Sequence, residues 1–262
     1  MRRVTAMILL LILALGMTAC GNAEKTETIY VHTRSLRTIG ENEIRMEYTY
    51  SPKGTPTSVK TYFNDTLYQT ASTRTSGGIS YQTIVDYEGN ATTQATTVTR
   101  DDKGNVTMVE ISIGSTPVSR TRYTYDDQNR TTNSNTVTGQ GITDISYSYD
   151  AAGNVTEQIV DDETDNTYTR TVYTYDDRGY VTEEQVYDKA GALQGSIRYT
   201  YSQDNKTRVA STYDAKGDAT GEKVEAQYDE HGNLIKEITY QGDEVLQTVV
   251  NTYEAMEVPV EE

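Results

Sequence analysis

The chain has 262 residues and a formal net charge of −16, with 39 acidic against 23 basic residues. So large an acidic excess argues against nucleic acid, whose affinity rests on Lys and Arg at phosphates, and against lying flat on an anionic membrane. With one Cys, no disulfide can staple the chain, and with 22 Tyr, 1 Phe and no Trp the apolar surface must come largely from tyrosine rings on a thin sheet.

Residues 1–19 read as an export signal. Arg2 and Arg3 form a basic start, and an apolar stretch over 6–15 is too short to span a bilayer. Leu15-Gly16-Met17-Thr18-Ala19-Cys20 resembles a bacterial lipobox, and the resemblance implies that Cys20 becomes an acylated mature N-terminus. A plain cleaved signal with an incidental Cys is the alternative. Residues 20–28 then form the lipidated Cys and a polar tether. Several acyl chains would anchor the protein stably, so the expected place is extracytoplasmic, held to the cell membrane or to an outer membrane where the host has one.

From residue 29 the chain alternates with period two between turn signals about 12 residues apart, which is strand and not helix. The first turns are Ser51-Pro52-Lys53-Gly54 after Tyr50, then Asn64-Asp65, Ser76-Gly77-Gly78, Glu88-Gly89-Asn90 and Asp101-Asp102-Lys103-Gly104. In the second half a repeat of about 25 residues becomes explicit. Tyr-x-Tyr occurs at Tyr123 and Tyr125, Tyr147 and Tyr149, Tyr173 and Tyr175, and Tyr199 and Tyr201, and the second ring recurs at Tyr228 and Tyr253. Tyr-Asp-x-x-Gly carries five turns: Asp150 with Gly153, Asp176 with Gly179, Asp188 with Gly191, Asp214 with Gly217 and Asp229 with Gly232. Asn129 stands in the glycine place after Asp126. The spacing has a mechanism. The Asp carboxylate accepts a backbone N–H two residues on, the middle residues take a type I turn, and Gly supplies the left-handed position. The expected fold is all-β: a long antiparallel β-meander of hairpin repeats over 29–255, with about 16–18 strands in a curled or twisted sheet on the order of 80 Å long. An acidic tail over 256–262 follows it.

The stretch Tyr147-Ser148-Tyr149-Asp150-Ala151-Ala152-Gly153-Asn154-Val155 resembles the YD-repeat (RHS-repeat) family at every place, and Tyr228-Asp229-Glu230-His231-Gly232-Asn233-Leu234 resembles its second part. The resemblance is strong over 120–240 and weak over 45–115. It implies a spiralling sheet and, more weakly, a surface role in adhesion or carbohydrate binding. The chain is too short for the cargo-enclosing shell of the large members.

Nothing in the sequence selects a catalytic site, a cofactor or a metal. His32 and His231 are the only histidines, and the acidic run 161–166 lacks the spacing and Gly of a calcium loop. Tyr149, Tyr175 and Tyr201 are the candidate rings for stacking on a ligand, set against the plainer role of filling the core. The leading expectation is a non-enzymatic surface lipoprotein, attached to the membrane through Cys20, that binds polysaccharide or protein at the envelope. An accessory element pairing its sheet with other YD-repeat proteins comes second, and a carboxylate-based glycan-processing enzyme last.

Overall fold

The computed structural model describes residues 26–260, so Cys20 and the first part of the expected tether lie outside the described residues. Every element is a strand. In chain order they are β1 (Thr26–Ile39), β2 (Asn42–Tyr50), β3 (Pro56–Phe63), β4 (Thr66–Ser76), β5 (Ile79–Asp86), β6 (Ala91–Arg100), β7 (Val106–Ile113), β8 (Thr116–Tyr125) and β9 (Thr131–Thr138). The second half holds β10 (Ile142–Tyr149), β11 (Val155–Asp162), β12 (Thr167–Tyr175), β13 (Val181–Tyr187), β14 (Leu193–Tyr201), β15 (Thr207–Asp214), β16 (Ala219–Tyr228), β17 (Leu234–Gln241) and β18 (Glu244–Pro259).

Each strand pairs antiparallel with the next, and β1 also pairs with β18. The expected open, curled meander is therefore corrected: the 18 strands close into an up-and-down barrel. Closure removes the two raw edges that an open meander would leave as templates for aggregation. The hairpins are as expected, but hairpin signals look the same in an open and a closed sheet. The deciding pairs, such as Leu36 with Val250 and Ser35 with Asn251, lie at opposite ends of the chain.

The Tyr-Asp-x-x-Gly turns form as their chemistry dictates. Asp150 Oδ1 accepts the Asn154 N–H at 2.8 Å, Asp176 Oδ1 accepts those of Arg178 and Tyr180, and Asp229 Oδ1 those of His231 and Asn233. Asp188 Oδ1 accepts the Ala192 N–H, and Asp214 Oδ1 those of Lys216 and Asp218. The glycine closes each turn by donating its N–H to the carbonyl of the same Asp. Gly179 does so to Asp176 at 2.9 Å, Gly191 to Asp188 and Gly217 to Asp214 at 3.0 Å, and Gly153 to Asp150 and Gly232 to Asp229 at 3.2 Å. Gly153 has φ +94° and Asn129 φ +61°, both left-handed, and Gly179, Gly191, Gly217 and Gly232 share that conformation. Gly179, Gly191 and Gly217 sit at exposed corners, so their part is to shape turns and not to line a site. A register shift at the Tyr that precedes Asp150 and Asp176 marks the accompanying bulge.

Strand pairing extends past the barrel. Residues 26–32 of β1 pair with 253–259 of β18 as a two-stranded ribbon, with Thr26 opposite Pro259. Strand thus takes in the end of the expected tether and the start of the expected tail.

Carrying the register once around the barrel returns to β1 about 20 residues further along. For 18 strands this shear gives a tilt of roughly 37° and a backbone radius of roughly 17 Å. Among the described residues each strand contacts only its two neighbours in the ladder. Among the described residues the buried apolar ones are Val31, Ala226 and Val258 alone. The barrel is hollow.

Candidate functional site

Two faces alternate along every strand, and the register shows which is which. Tyr123, Ser134, Ile145, Val160 and Thr169 follow one another across β8 to β12 on one face. Arg170 with Tyr187, and Arg198 with Glu183, lie on the other. For L-residues the side chain's face fixes the side to which its N–H and C=O point. Viewed from the tyrosine face with odd strands running up, successive strands therefore lie to the right, and the circuit climbs. Strands coil right-handedly about a barrel axis, so this view is from inside. The Tyr-x-Tyr face lines the lumen. Crowding agrees: on β8, Tyr123 and Tyr125 are half-buried whereas Arg122 and Thr124 are exposed.

The lumen wall carries paired rings on β2, β8, β10, β12 and β14, single rings on β16 and β18, and Ser, Thr, Gln, Ile and Val between them. The arc lapses at β4 and β6, where Thr73 and Val98 take the ring positions. Lumen-facing charges are few, among them Arg37, Glu184, Arg208 and Glu237. The three candidate stacking rings are in this arc. Each is half-buried and each hydroxyl is engaged: Tyr149 donates to the Thr131 carbonyl at 2.6 Å, Tyr175 to Val155 at 2.6 Å and Tyr201 to Val181 at 2.9 Å. Tyr50 and Tyr125 do the same to His32 and Val106. The last ring of an even strand thus ties the neighbouring odd strand at its first turn of ladder. The edges of these rings are structural, and only their lumen-facing surfaces remain for a ligand. Tyr199 donates to Glu184 at 2.7 Å, and burial together with that carboxylate holds its phenol far above the usual range.

The outer wall is a lattice of charge. Arg45 pairs with Glu47, Arg120 with Glu110, Arg170 with Glu157, Arg198 with Glu183 and Lys223 with Glu225. The cations also lie over rings, Arg45 over Tyr62 and Arg198 over Tyr213 at 4.1 Å, Lys223 over Tyr240 at 4.4 Å.

Two features escaped sequence reasoning. His32, at the seam, sits between Tyr48 and Tyr253 with centroids 4.6 and 5.0 Å away, and burial lowers its pKa. Tyr68 and Tyr87 form an exposed near-parallel pair 6.0 Å apart at the rim opposite the termini. Both depend on neighbours brought in by closure or by an adjacent hairpin, and neither carries a local motif. Among the described residues no group of three His, Cys, Asp or Glu is placed to hold a metal ion, and no helix is long and apolar enough to cross a membrane.

No family model matches the chain, and no curated protein does. Solved structures with a similar arrangement include a porin-like protein from Bacteroides uniformis ATCC 8492, at 15% identity and TM-score 0.45, covering 85% of this chain and 96% of that one. A porin-like protein from Bacteroides vulgatus ATCC 8482 is similar at 13% identity and TM-score 0.38, covering 85% and 98%. A chain of the TcdB2-TccC3-Cdc42 structure is similar at 11% identity and TM-score 0.39, covering 81% of this chain and 14% of its own length.

Proposed function

We propose that the chain is a lipid-tethered, non-enzymatic barrel of the cell envelope that stands in water and binds neutral polysaccharide along its lumen wall. The observation that carries this reading is the contrast between the two faces. A membrane-spanning barrel needs an outward apolar band about 25 Å tall, and each Arg or Lys facing lipid at mid-depth costs about 2–4 kcal/mol. Here Arg45, Arg120, Arg170, Arg198 and Lys223 face outward from the strands. The inner face offers rings beside hydroxyls and amides with little charge, a surface suited to sugar rings that present C–H faces and hydroxyl edges. The resemblance to YD repeats supports the same role. A lumen roughly 20 Å across after side chains is wider than one glycan strand, so binding is to one side of the wall. Pairing with other YD-repeat proteins through open sheet ends loses its support, because the sheet closes. The outer carboxylates Glu47, Glu110, Glu157, Glu183 and Glu225 are engaged by Arg or Lys, and the glycan-processing reading gains no support from them.

The test is a glycan-array screen of residues 21–262 with Tyr149→Ala, Tyr175→Ala and Tyr201→Ala. Binding that is lost in variants that stay folded supports the lumen wall as the site. Absence of glycan binding by the folded parent chain refutes the polysaccharide reading and turns the search to envelope proteins.

A further inference from the structure

The turns at the two mouths of the barrel differ. At the mouth away from the termini, most hairpins from β17–β18 around to β9–β10 expose large apolar side chains: Val245 (52% exposed) and Leu246, then Ile39 (45%), then Phe63 (47%), Leu67 and Tyr68. The arc continues through Tyr87 (66%) to Val118 and Val137. The remaining third of that rim is polar and net acidic, with Glu163, Asp165, Asp188, Asp214 and Asp218 in its turns against Lys189 and Lys216. Tyr68, Val118 and Leu246 are the extra residues at hairpin bulges. The ladder sets no residue opposite them, although the Tyr68 ring stacks on Tyr87 of the next hairpin.

Monomeric proteins rarely leave apolar surface of this extent open. We propose that this rim is the contact between two copies of the chain, stacked mouth to mouth about a twofold axis. Three observations select a second copy. The nine apolar residues named in the arc are each 36–66% exposed and lie along one continuous two-thirds of the rim, where a stable interface of standard size asks about 800 Å² of each partner. The rim is built of short turns with no projecting loop, so two rims meet as level surfaces, and an arc centred on a twofold axis lands on itself. The rim's charge is acidic, which repels an anionic lipid surface or a nucleic acid. The same twofold that lays apolar arc on apolar arc brings the acidic thirds together, so association strengthens as salt rises. The pair joins two lumens end to end and places each Thr26 at an outer mouth, so two tethered copies meet in this way from facing membrane surfaces.

The test is sedimentation equilibrium on residues 21–262, which keep every strand of the closed ladder, across 50 to 500 mM NaCl. The expected result is a dimer whose dissociation constant falls with salt. Tyr68→Glu with Leu246→Glu is expected to raise that constant at least 100-fold with an unchanged β-sheet circular dichroism spectrum. Ala190→Ser, an uncharged change in the polar third of the rim, leaves it within about 3-fold. A monomer at 100 μM overturns the proposal, as does a dimer untouched by the paired rim substitution or one that salt dissociates. A monomer that sediments with phosphatidylcholine vesicles also overturns it and assigns the rim to lipid.

Discussion

Replacing Tyr149, Tyr175 and Tyr201 together by Phe isolates the inter-strand ties from the rings that carry them. Each substitution deletes one O–H···O=C bond of 2.6 to 2.9 Å and keeps the ring in place. A net protein hydrogen bond is worth about 1 kcal/mol, and stranding a half-buried carbonyl keeps the loss near that value. The three sites lie two strands apart, roughly 10 Å, far enough for their effects to add. The triple variant is therefore expected to lose about 3 kcal/mol. At the roughly 2–4 °C per kcal/mol of a domain this size, the midpoint falls by roughly 6–12 °C. Thermal unfolding followed by near-ultraviolet circular dichroism measures it, with single variants as additivity controls. A triple variant melting within 1 °C of the parent would refute the reasoning and make these hydroxyls passengers of ring packing.

His32 is held neutral in the fold by burial between Tyr48 and Tyr253, with its Nε2 2.9 Å from the Arg34 carbonyl. A depressed His pKa means that the unfolded chain binds the proton more readily. Stability is expected to fall as pH drops below about 6.5, and His32→Gln should flatten that limb of a urea-midpoint titration. The turn carboxylates Asp150, Asp176 and Asp229 are held below the usual range, Asp150 and Asp229 first by the Asn side chains that donate to them and Asp176 first by the Tyr180 N–H. Their contribution is complete above pH about 4 and lost as pH falls further, so the Asp→Asn triple variant is expected to show a shallower acid transition than the parent. Gly195→Ala places a Cβ 2.6 Å from the Tyr213 carbonyl oxygen, and backbone cannot yield as a side chain can. Loss of soluble barrel or a midpoint drop of several degrees is expected, whereas Gly104→Ala, whose Cβ meets open space, carries only the cost of positive φ, about 1 kcal/mol.

Local chemistry was legible in the residues. Asp at the start of a turn, Gly or Asn at its left-handed corner and the period-two alternation each act over a few residues, so the hairpins and their bulges could be read directly. The strand count was readable for the same reason. Closure was not, because it depends on Leu36 and Val250 meeting across the whole chain, and neither differs from any other strand residue. The direction of the rings was half-legible: Tyr-x-Tyr fixes a common face, but only the shear of the closed sheet turns that face inward. The sequence marks 256–259 only as part of an acidic tail, yet it gains order from Thr26 and Glu27, which pair with Pro259 and Val258.

The seam also sets the order of assembly. Every other pairing joins neighbours through a short turn, so each hairpin can form once its own residues are present. The last pairing must bring Leu36 to Val250, and closing so long a loop costs about 2.7 kcal/mol more in chain entropy than closing a hairpin of roughly ten residues. Until β18 is available the chain is a growing ribbon with two raw edges, and topology of this kind folds slowly. A chain exported unfolded would complete its barrel only on the far side of the membrane. Loss of the final 16-residue strand leaves 17 strands that carry nearly all the local signals for this fold and have no means of ending it.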